Sequence, residues 1–355
     1  MKILCLSKRR PQGKDLVEQP YGRFYYLPRL LAERGHKVKL HLLSYQREAC
    51  IAFESEHIEW DSRPLLPNPL EYAQHAEEVC KLWRPDWIIA FSDIWYGILA
   101  SHLAMRYGIK YSIDAYDDYE SYMPWAKPAH WLWRKSLRNA TIISATGPGL
   151  GSYMCGNRGK DDYIVVPMAA DNSFTSIKDK TVIRRRLGIP EKGKIIGYCG
   201  SIYPGRGINI LFTAFSTLKR SHPDITLVLS GRIHPKVSIP EDAVSLGYLS
   251  DEKLPDLIGC LDVLAVVNKI SNFGRHSYPV KLYEAMSCGI PVAATKTPAT
   301  EWILKDHPEM LATPEDADNL SSVLQCALDF GYTTYSATND WGLSAEILEQ
   351  SITSN

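Results

Sequence analysis

Lys281 and Glu284 are the residues whose types and spacing point most directly to chemistry. They stand three positions apart in the segment His276 to Val292, so on a helix both side chains lie on one face. A lysine near the amino end of a helix makes an anion site, because the unpaired backbone N–H groups there attract negative charge. A carboxylate one turn deeper can accept hydrogen bonds from sugar hydroxyls. The pair therefore predicts a site for a phosphate beside a diol, as in a nucleotide; the alternative is an ordinary exposed ion pair.

The same segment carries the signals that bound a short helix. Pro279 suits the first helical turn, where its missing N–H costs nothing. Gly289 supplies a left-handed end, and Pro291 prevents continuation. These residues predict a helix that starts just before Lys281 and stops soon after Glu284.

A glycine-rich loop is the second candidate phosphate site. The apolar run 195–199 is followed by Gly200 to Gly207, and an amphipathic helix pattern starts at Ile208. A strand, a glycine-rich turn and a helix amino terminus in this order form the general phosphate-cradling arrangement. Arg206 can donate to two phosphate oxygens at once. The alternative is a solvated arginine in a surface turn.

The elements that must position these residues belong to parallel sheets. Short apolar runs alternate with helical patterns along the chain, which is typical of α/β sheets covered on both faces. The predicted strands are residues 3–6, 38–43, 87–91, 111–113, 141–144, 163–166, 195–199, 226–230, 244–246, 263–267 and 290–294. Helices are predicted over 21–34, between 91 and 110, from 208 onward and over 341–351. The charged stretch 167–192 interrupts the alternation and predicts a hinge, as suits a chain of 355 residues with two domains.

The segment His276 to Val292 resembles the nucleotide-sugar signature of retaining glycosyltransferases of the GT-B type, family four (group 1), in the variant Pro-x-Lys-Leu-Tyr-Glu-Ala-Met-x-Cys-Gly-x-Pro-Val. The resemblance continues in order along nearly the whole chain, at residues 30–38, 84–89, 165–174, 247–250 and Trp341. It implies an α/β fold of two tandem Rossmann-like domains with an interdomain cleft. The expected domains are an acceptor-binding domain over 1–170, on which a terminal helix within 336–355 packs back, and a nucleotide-sugar-binding domain over 171–335.

The resemblance also implies roles for residues of the donor site. Glu284 matches the glutamate that binds the ribose hydroxyls, and Arg206 with Gly207 matches the Lys-Gly pair that meets the diphosphate. The loop with Tyr248 and Leu249 resembles the one that meets the nucleobase. The remaining donor-site candidates that the resemblance implies are Gly22, Ser201, His276, Tyr278 and Pro279.

This chain departs from the family pattern at three of those places. Ser201 stands where the family carries an arginine, His276 replaces a glutamate, and Tyr278-Pro279 replaces Phe-Gly. The substitutions reduce the positive charge of the first loop and change the backbone contacts to the sugar. The identity of the donor therefore does not follow from the resemblance.

A basic loop follows the first strand, where an open α/β sheet binds ligand. Arg9, Arg10 and Arg23 in this region are candidate contacts to an anionic acceptor. Gly22 resembles the family glycine that lets the first helix start close beneath the donor phosphate or the acceptor. The alternative is a solvated basic cluster.

A run of carboxylates and tyrosines follows the strand that ends at Ile113. Asp117 and Asp118 are candidate groups to bind a polyhydroxyl acceptor or to deprotonate its attacking hydroxyl. Tyr116 and Glu120 are further acceptor-binding candidates. Carboxylates of this kind can bind a metal, but no second oxygen-rich cluster in the sequence completes a site, and capping of the next helix is the plain alternative.

Composition excludes several classes. Lys plus Arg equals Asp plus Glu at 40 each, so no global field attracts nucleic acid. The eight cysteines are scattered without a CxxC pair, which disfavours disulfides and metal binding. The run Gly147 to Gly151 is followed by Ser152 where a dinucleotide fingerprint needs glycine, and no phosphate-loop motif of NTPases is present.

Localisation follows from the termini and from an aromatic stretch. The chain starts with a strand pattern and contains no apolar run long enough to span a bilayer, so we expect a cytoplasmic protein. Tryptophans alternate with basic residues at Trp125, Lys127, Trp131, Trp133, Arg134 and Lys135. This pattern is compatible with peripheral contact with the inner membrane face or a lipid-linked acceptor, and equally with ordinary packing.

We therefore expect a metal-independent, retaining glycosyltransferase that needs no cofactor. It would move a sugar from a nucleoside-diphosphate donor to a glycan or lipid-linked hydroxyl acceptor, with Arg206 and Lys281 stabilising the leaving diphosphate. The alternatives are a sugar-nucleotide epimerase or phosphorylase of the same architecture, or a non-catalytic member that binds nucleotide sugar.

Overall fold

The computed structural model describes residues 1–156, 158–159, 162–335 and 339–355. It divides into two compact units, of which the first contains 1–168, 276–278 and 340–355, and the second 169–275 and 279–339. Residues 336–338 of the predicted terminal segment lie outside the described residues.

The first unit is built on an eight-stranded sheet in the order β3-β4-β2-β1-β5-β6-β7-β8. Its strands are β1 (Lys2–Lys8), β2 (Lys37–Ser44), β3 (Ile51–Ser55), β4 (Ile58–Pro64), β5 (Trp87–Phe91), β6 (Lys110–Ala115), β7 (Ile142–Ala145) and β8 (Tyr163–Val165). All neighbours are parallel except β3 and β4. The strand order reverses between β1 and β5, which is where open α/β sheets leave a crevice for ligands.

Six helices connect these strands: α1 (Arg23–Glu33), α2 (Glu71–Leu82), α3 (Ile94–Tyr107), α4 (Tyr119–Tyr122), α5 (Lys127–Asn139) and α6 (Pro148–Cys155). α3 ends at Tyr107 and is followed by Gly108, which has a left-handed φ of 66°. The predicted helix at 21–34 is two residues shorter at its start, because Gly22 has a φ of 64° and precedes the first helical residue.

The second unit repeats this plan with six parallel strands in the order β11-β10-β9-β12-β13-β14. They are β9 (Ile195–Cys199), β10 (Thr226–Ser230), β11 (Ala243–Ser245), β12 (Val263–Val266), β13 (Val292–Thr295) and β14 (Leu311–Ala312). The helices are α7 (Lys180–Leu187), α8 (Ile208–Ser221), α9 (Leu254–Cys260), α10 (Asn272–Arg275), α11 (Val280–Ser287), α12 (Pro298–Ile303) and α13 (Ala317–Phe330). The order reverses between β9 and β12. The stretch 167–192, predicted as a break, contains α7.

The last helix, α14 (Trp341–Thr353), belongs to the first unit. Trp341 stacks on Tyr26 of α1 with ring centroids 5.5 Å apart, and the Ser344 hydroxyl donates to the Pro167 carbonyl at 2.9 Å. No helix in the described residues has the length and apolarity that crossing a membrane requires.

Candidate functional site

Three loops leave adjacent strands at the carboxyl edge of the second sheet, and a glycine joins each to the next. The Gly200 N–H donates to the Ser230 carbonyl at 2.9 Å, and the Gly231 N–H donates to the Gly247 carbonyl at 2.8 Å. A Cβ on Gly231, whose φ is 144°, would lie 1.9 Å from the Gly200 oxygen. Only glycine permits this approach, so the loops after β9, β10 and β11 hold a fixed relation to one another.

Arg206 is held across the point where the strand order reverses. It ends a short 3-10 turn, and Gly207, with φ 78°, directly precedes α8. The Arg206 Nη1 donates to Oδ1 of Asn268 at 2.9 Å, and Asn268 follows β12 as a buried residue. The Arg206 guanidinium therefore links the loop after β9 to the loop after β12.

Lys281 and Glu284 form an ion pair on α11. Nζ donates to Oε2 at 2.6 Å, with 24% of the lysine side chain and 9% of the glutamate side chain exposed. Burial lowers the pKa of Lys281, but the Glu284 carboxylate, together with Cys199 and Asp251, raises it, and the net shift is upward. Lys281 therefore stays protonated, as an anion site requires.

Cys199 is the last residue of β9, and the charges of Lys281 and Glu284 both affect the pKa of its thiol. Burial raises the pKa of Cys199 to about 12, while Lys281 lowers it and Glu284 raises it. Because α11 follows β12 and leads into β13, its first turn, with Lys281, lies at the carboxyl edge of the same sheet from which the Gly200 to Gly207 loop departs. The chain thus brings both predicted motifs to one edge of one sheet.

The remaining donor-site candidates divide between the two units. Ser201 and Tyr248 are exposed, Leu249 is half-buried, and Pro279 directly precedes α11. The Arg232 guanidinium lies 5.4 Å from the Tyr248 ring centroid. Sequence reasoning missed Arg232, which stands next to a glycine after a predicted strand.

His276 and Tyr278 group with the first unit. The Tyr278 hydroxyl accepts a hydrogen bond from the Gly149 N–H at 3.1 Å, and a Cβ on Gly147 would lie 1.9 Å from its ring. His276 stacks on Tyr153 with ring centroids 4.8 Å apart. The glycines rejected as a dinucleotide fingerprint therefore make room for an aromatic ring.

The basic loop of the first unit is neutralised by its own carboxylates. Arg9 pairs with Asp15 at 2.9 Å and Glu48 at 3.0 Å, and Arg10 donates to both Glu48 oxygens at 2.8 Å. The hydrogen bond from Arg10 lowers the pKa of Glu48 to about 2. Arg9 and Arg10 are thus balanced by Asp15 and Glu48, so this cluster has no excess positive charge to attract an anionic acceptor.

Arg23 is fully buried rather than presented to a ligand. Its Nε and Nη2 donate to the two oxygens of Asp114 at 2.5 and 2.6 Å, and its Nη1 donates to the Val166 carbonyl at 2.6 Å. The side chains of both charged residues have no exposed surface. Arg23 holds α1 against the ends of β6 and β8. Because its side chain is not accessible, the prediction that it contacts an acceptor does not fit this position.

The carboxylates after β6 have separate surroundings. Asp118 caps α4 by accepting from the Ser121 N–H at 3.2 Å, as the capping alternative predicts. Glu120 accepts two hydrogen bonds from Arg134, at 2.9 and 2.6 Å. The Tyr116 N–H donates to the Tyr119 hydroxyl at 3.1 Å, and Asp117 is half-buried beside it.

Sequence reasoning missed Lys8 and Asp93, which form an ion pair of 3.0 Å at the reversal point of the first sheet. Lys8 is the last residue of β1, and Asp93 lies two residues after the end of β5. A search for charged residues at the carboxyl ends of predicted strands would have found them.

One group of three residues with metal-ligand atoms occurs among the described residues: His41, Asp61 and His75. The Nδ1 atoms of the histidines lie 2.8 and 3.4 Å from one Asp61 oxygen. Arg63 donates to both Asp61 oxygens at 3.0 Å, and its Nη2 lies 3.1 Å from His75 Nε2. The guanidinium already supplies the positive charge that a metal would bring, so we interpret the cluster as an ion-pair network.

Two family models match the chain in tandem. "Glycosyl transferase 4-like domain" matches residues 23–169, and "Glycosyl transferases group 1" matches residues 179–330. The second match contains Arg206, Lys281 and Glu284, and the first contains Asp93 and Asp117.

Curated relatives share part of the chain. D-inositol 3-phosphate glycosyltransferase of Salinispora arenicola is 28% identical over 146 residues, which are 36% of this chain and 31% of that protein. Mannosylfructose-phosphate synthase of Agrobacterium fabrum is 27% identical over 180 residues, 44% of this chain and 38% of that protein. The matched part therefore spans only about a third of the length of these relatives.

The fold extends further than the sequence similarity. The crystal structure of Anabaena HepE in complex with UDP superposes with a TM-score of 0.73 at 15% identity, covering 100% of both chains. At this identity the similarity shows the arrangement of strands and helices, and the chemistry must be argued from the residues above.

Proposed function

The chain belongs to the group 1 glycosyltransferases and has their GT-B fold, and from this premise we propose that it transfers a sugar from a nucleoside-diphosphate donor to a hydroxyl acceptor. The observation that supports the proposal is that the loop with Arg206 and the helix with the Lys281–Glu284 pair both start at the carboxyl edge of one sheet.

Each of these groups has a distinct part in binding the donor. Ribose hydroxyls donate to Glu284, a charge-assisted hydrogen bond. In the free protein the Glu284 carboxylate keeps Lys281 protonated by raising its pKa. When the donor binds, the Lys281 ammonium donates to its phosphates. Arg206, held by Asn268, faces the same phosphates with its remaining N–H groups.

The catalytic effect follows from charge. The bond between the sugar and the diphosphate breaks with the electron pair on the leaving phosphate oxygen, so negative charge grows there. Arg206 and Lys281 stabilise that charge in the transition state without a metal ion. We propose retention of configuration, with a leaving-group oxygen accepting the proton of the attacking hydroxyl on the same face of the sugar.

Donor binding tests the proposal. UDP is the first probe because the HepE structure holds it, and GDP is the second. In calorimetry we expect Glu284→Gln to weaken binding of the preferred nucleotide at least ~10-fold, since a hydrogen bond to a charged group is worth about 1.5–3 kcal/mol.

Glu301→Gln is the matched control, because Glu301 pairs with Lys296 at 3.0 Å on the surface of the same unit. We expect it to leave the affinity unchanged. Equal nucleotide affinity for wild type and Glu284→Gln would contradict the ribose role. Consumption of the donor sugar nucleotide without any acceptor, with epimerised product, would favour the epimerase alternative.

We propose in addition that the exposed side of α5, with Trp125 just before it, faces a membrane. Trp125 is 71% exposed and Trp131 61% exposed, and the Lys135 ammonium lies 5.7 Å from the Trp131 ring centroid. Trp133, grouped with them from sequence, is buried in the core. Exposed tryptophan beside lysine suits the headgroup region of an anionic bilayer, and flotation with vesicles measures the binding.

A further inference from the structure

An ion pair and two exposed aromatic rings lie together at the reversal point of the first sheet. Lys8 and Asp93 are paired at 3.0 Å, with 16% and 8% of their side chains exposed. The Lys8 ammonium lies 5.8 Å from the ring centroid of Tyr122. The Tyr45 hydroxyl lies 3.4 Å from that of Tyr96. We call these residues the Lys8–Asp93 subsite.

The pKa values of Tyr45 and Tyr96 are both affected by Asp93. Burial raises the pKa of Tyr45, and both Asp93 and Tyr122 add to the rise. Asp93 also contributes to the raised pKa of Tyr96. These groups come from four segments of the chain: the residue after β2, the loop after β5, α3 and α4.

The Asp93 side chain does not cap α3, although its position before the helix predicts a cap. It is the residue before α3, where a carboxylate usually caps the helix, but it accepts no capping hydrogen bond. Among the described residues its recorded partner is the Lys8 ammonium. The preceding residue, Ser92, is buried and has a left-handed φ of 72°. A strained non-glycine backbone at a strand end is typical of functional sites.

The rim of the subsite is aromatic and accessible. Tyr45 is 50% exposed and Tyr122 is 58% exposed, so both rings are accessible, and the Tyr122 ring lies beside the partly buried pair of one donor and one acceptor group. A pyranose matches this arrangement: its C–H face packs on an aromatic ring, and its hydroxyls donate to a carboxylate and accept from an ammonium.

Charge decides between a neutral and an anionic ligand. Lys8 is balanced by Asp93, and the neighbouring Arg9 and Arg10 are balanced by Asp15 and Glu48. A phosphate would have to break one of these pairs and leave a carboxylate unpaired, which is costly where the groups are partly buried. A neutral sugar breaks none of them.

We propose that the Lys8–Asp93 subsite binds an uncharged saccharide as the acceptor, with Asp93 accepting a hydrogen bond from a sugar hydroxyl and Tyr122 stacking on the ring. This inference rests on the proposed function and names its acceptor class, in contrast to the phosphate-bearing compounds in the names of the relatives.

Saturation-transfer NMR on the full chain with UDP present tests the subsite. The probes are neutral glycosides (methyl hexosides, maltose and cellobiose) and glucose 6-phosphate. In wild type we expect transfer to at least one neutral glycoside and weaker binding of the phosphate. Asp93→Asn should weaken the glycoside at least ~10-fold through loss of a charge-assisted hydrogen bond, and Tyr122→Ala about threefold or more through loss of stacking.

Two matched controls separate the subsite from general effects. Asp86→Asn lies at the other end of β5, where the carboxylate accepts from the Lys2 N–H at 2.7 Å, and Tyr332→Ala removes a tyrosine that is 66% exposed in the second unit. Both should bind the glycoside as wild type does. Should Asp93→Asn fail to fold, Tyr122→Ala still tests the proposal because that ring is exposed.

The proposal is overturned if no neutral glycoside shows transfer, if glucose 6-phosphate binds more tightly, or if both subsite variants bind as wild type. UDP affinity is read in parallel and should not change in either variant. If wild type binds neither UDP nor GDP but shows Asp93-dependent glycoside binding, the donor proposal alone is refuted. If it binds the nucleotide but shows no Asp93-dependent glycoside binding, the subsite alone is refuted.

Discussion

At the scale of single residues, charge pairing decides which polar groups remain available for ligands. Asp114 is fully buried and accepts from Arg23 and from the Ser144 hydroxyl at 2.6 Å. A buried carboxylate without such partners would cost several kcal/mol. Arg23 and Asp114 are therefore structural, whereas Lys281, Glu284 and Asp93 keep part of their surface accessible.

Glu48 gives a pH dependence whose sign follows from its surroundings. Its pKa falls from 4.5 to about 2 in the folded protein, chiefly through the hydrogen bond from Arg10. Because the folded pKa is depressed, the stabilisation is complete above the ordinary pKa and is lost as pH falls from about 4.5 towards 2. We expect Glu48→Gln to lower the free energy of unfolding on the order of 2 kcal/mol at pH 7, and by much less at pH 3.

Urea unfolding at the two pH values measures this difference. Glu33→Gln is the control, since Glu33 pairs with Arg29 at 2.9 Å on an exposed helix surface, where such pairs contribute little. An effect of Glu48→Gln that is the same at pH 3 and pH 7 would contradict the prediction.

At the scale of elements, local patterns could be predicted from sequence and contacts between strands could not. Residues 87–91 were predicted as a strand and form β5 with the same bounds, because a strand buried on both faces is a continuous apolar run. The β3–β4 hairpin escaped prediction: Phe53 is exposed, and Glu56 and His57 take φ values of 50° and 64° without a glycine to mark the turn.

The same division applies to the candidate site. Lys281 and Glu284 are one helical turn apart, so their pairing follows from sequence spacing alone. The contact of Arg206 with Asn268 and that of Lys8 with Asp93 join residues 62 and 85 positions apart. These contacts exist because parallel strands end at one edge, and only the strand order reveals which ends are neighbours.

The junction of the three glycine loops gives a prediction at this scale. Gly231→Ala would place a Cβ 1.9 Å from the Gly200 oxygen at a φ of 144°, and the backbone must move to relieve the contact. We expect a loss of about 3 kcal/mol in the free energy of unfolding and at least ~10-fold weaker UDP binding, because the loops after β9 and β10 separate.

Gly188→Ala is the matched control. Gly188, which follows α7, also has a positive φ, 70°, but a Cβ there meets nothing within 4 Å, so the cost is about 1 kcal/mol with UDP affinity retained. Denaturant unfolding and calorimetry measure both quantities. Equal effects of the two substitutions would show that the positive φ, and not the junction, accounts for the loss.

At the scale of the whole molecule, the charge balance limits how the protein can reach a membrane. Positive and negative residues are equal at 40 each, so long-range attraction to an anionic surface is weak. Any attraction must come from a local patch. The candidate patch is the exposed side of α5, where Lys127, Trp131, Lys135 and Arg138 recur at helical spacing, with Trp125 before the helix.

This patch predicts membrane binding with two separable components. Replacing Trp125 and Trp131 together by serine should weaken flotation with vesicles that contain phosphatidylglycerol at least ~10-fold, through loss of the buried aromatic surface. Replacing Lys127, Lys135 and Arg138 by glutamine should remove the dependence on anionic lipid and on salt, since each basic residue near such a surface contributes about 1 kcal/mol.

The control is Tyr332→Ser, which replaces an exposed aromatic residue of the second unit and should float as wild type does. Failure of wild type to float with the vesicles, or flotation unchanged by the tryptophan substitutions, would show that α5 is not a membrane-binding surface.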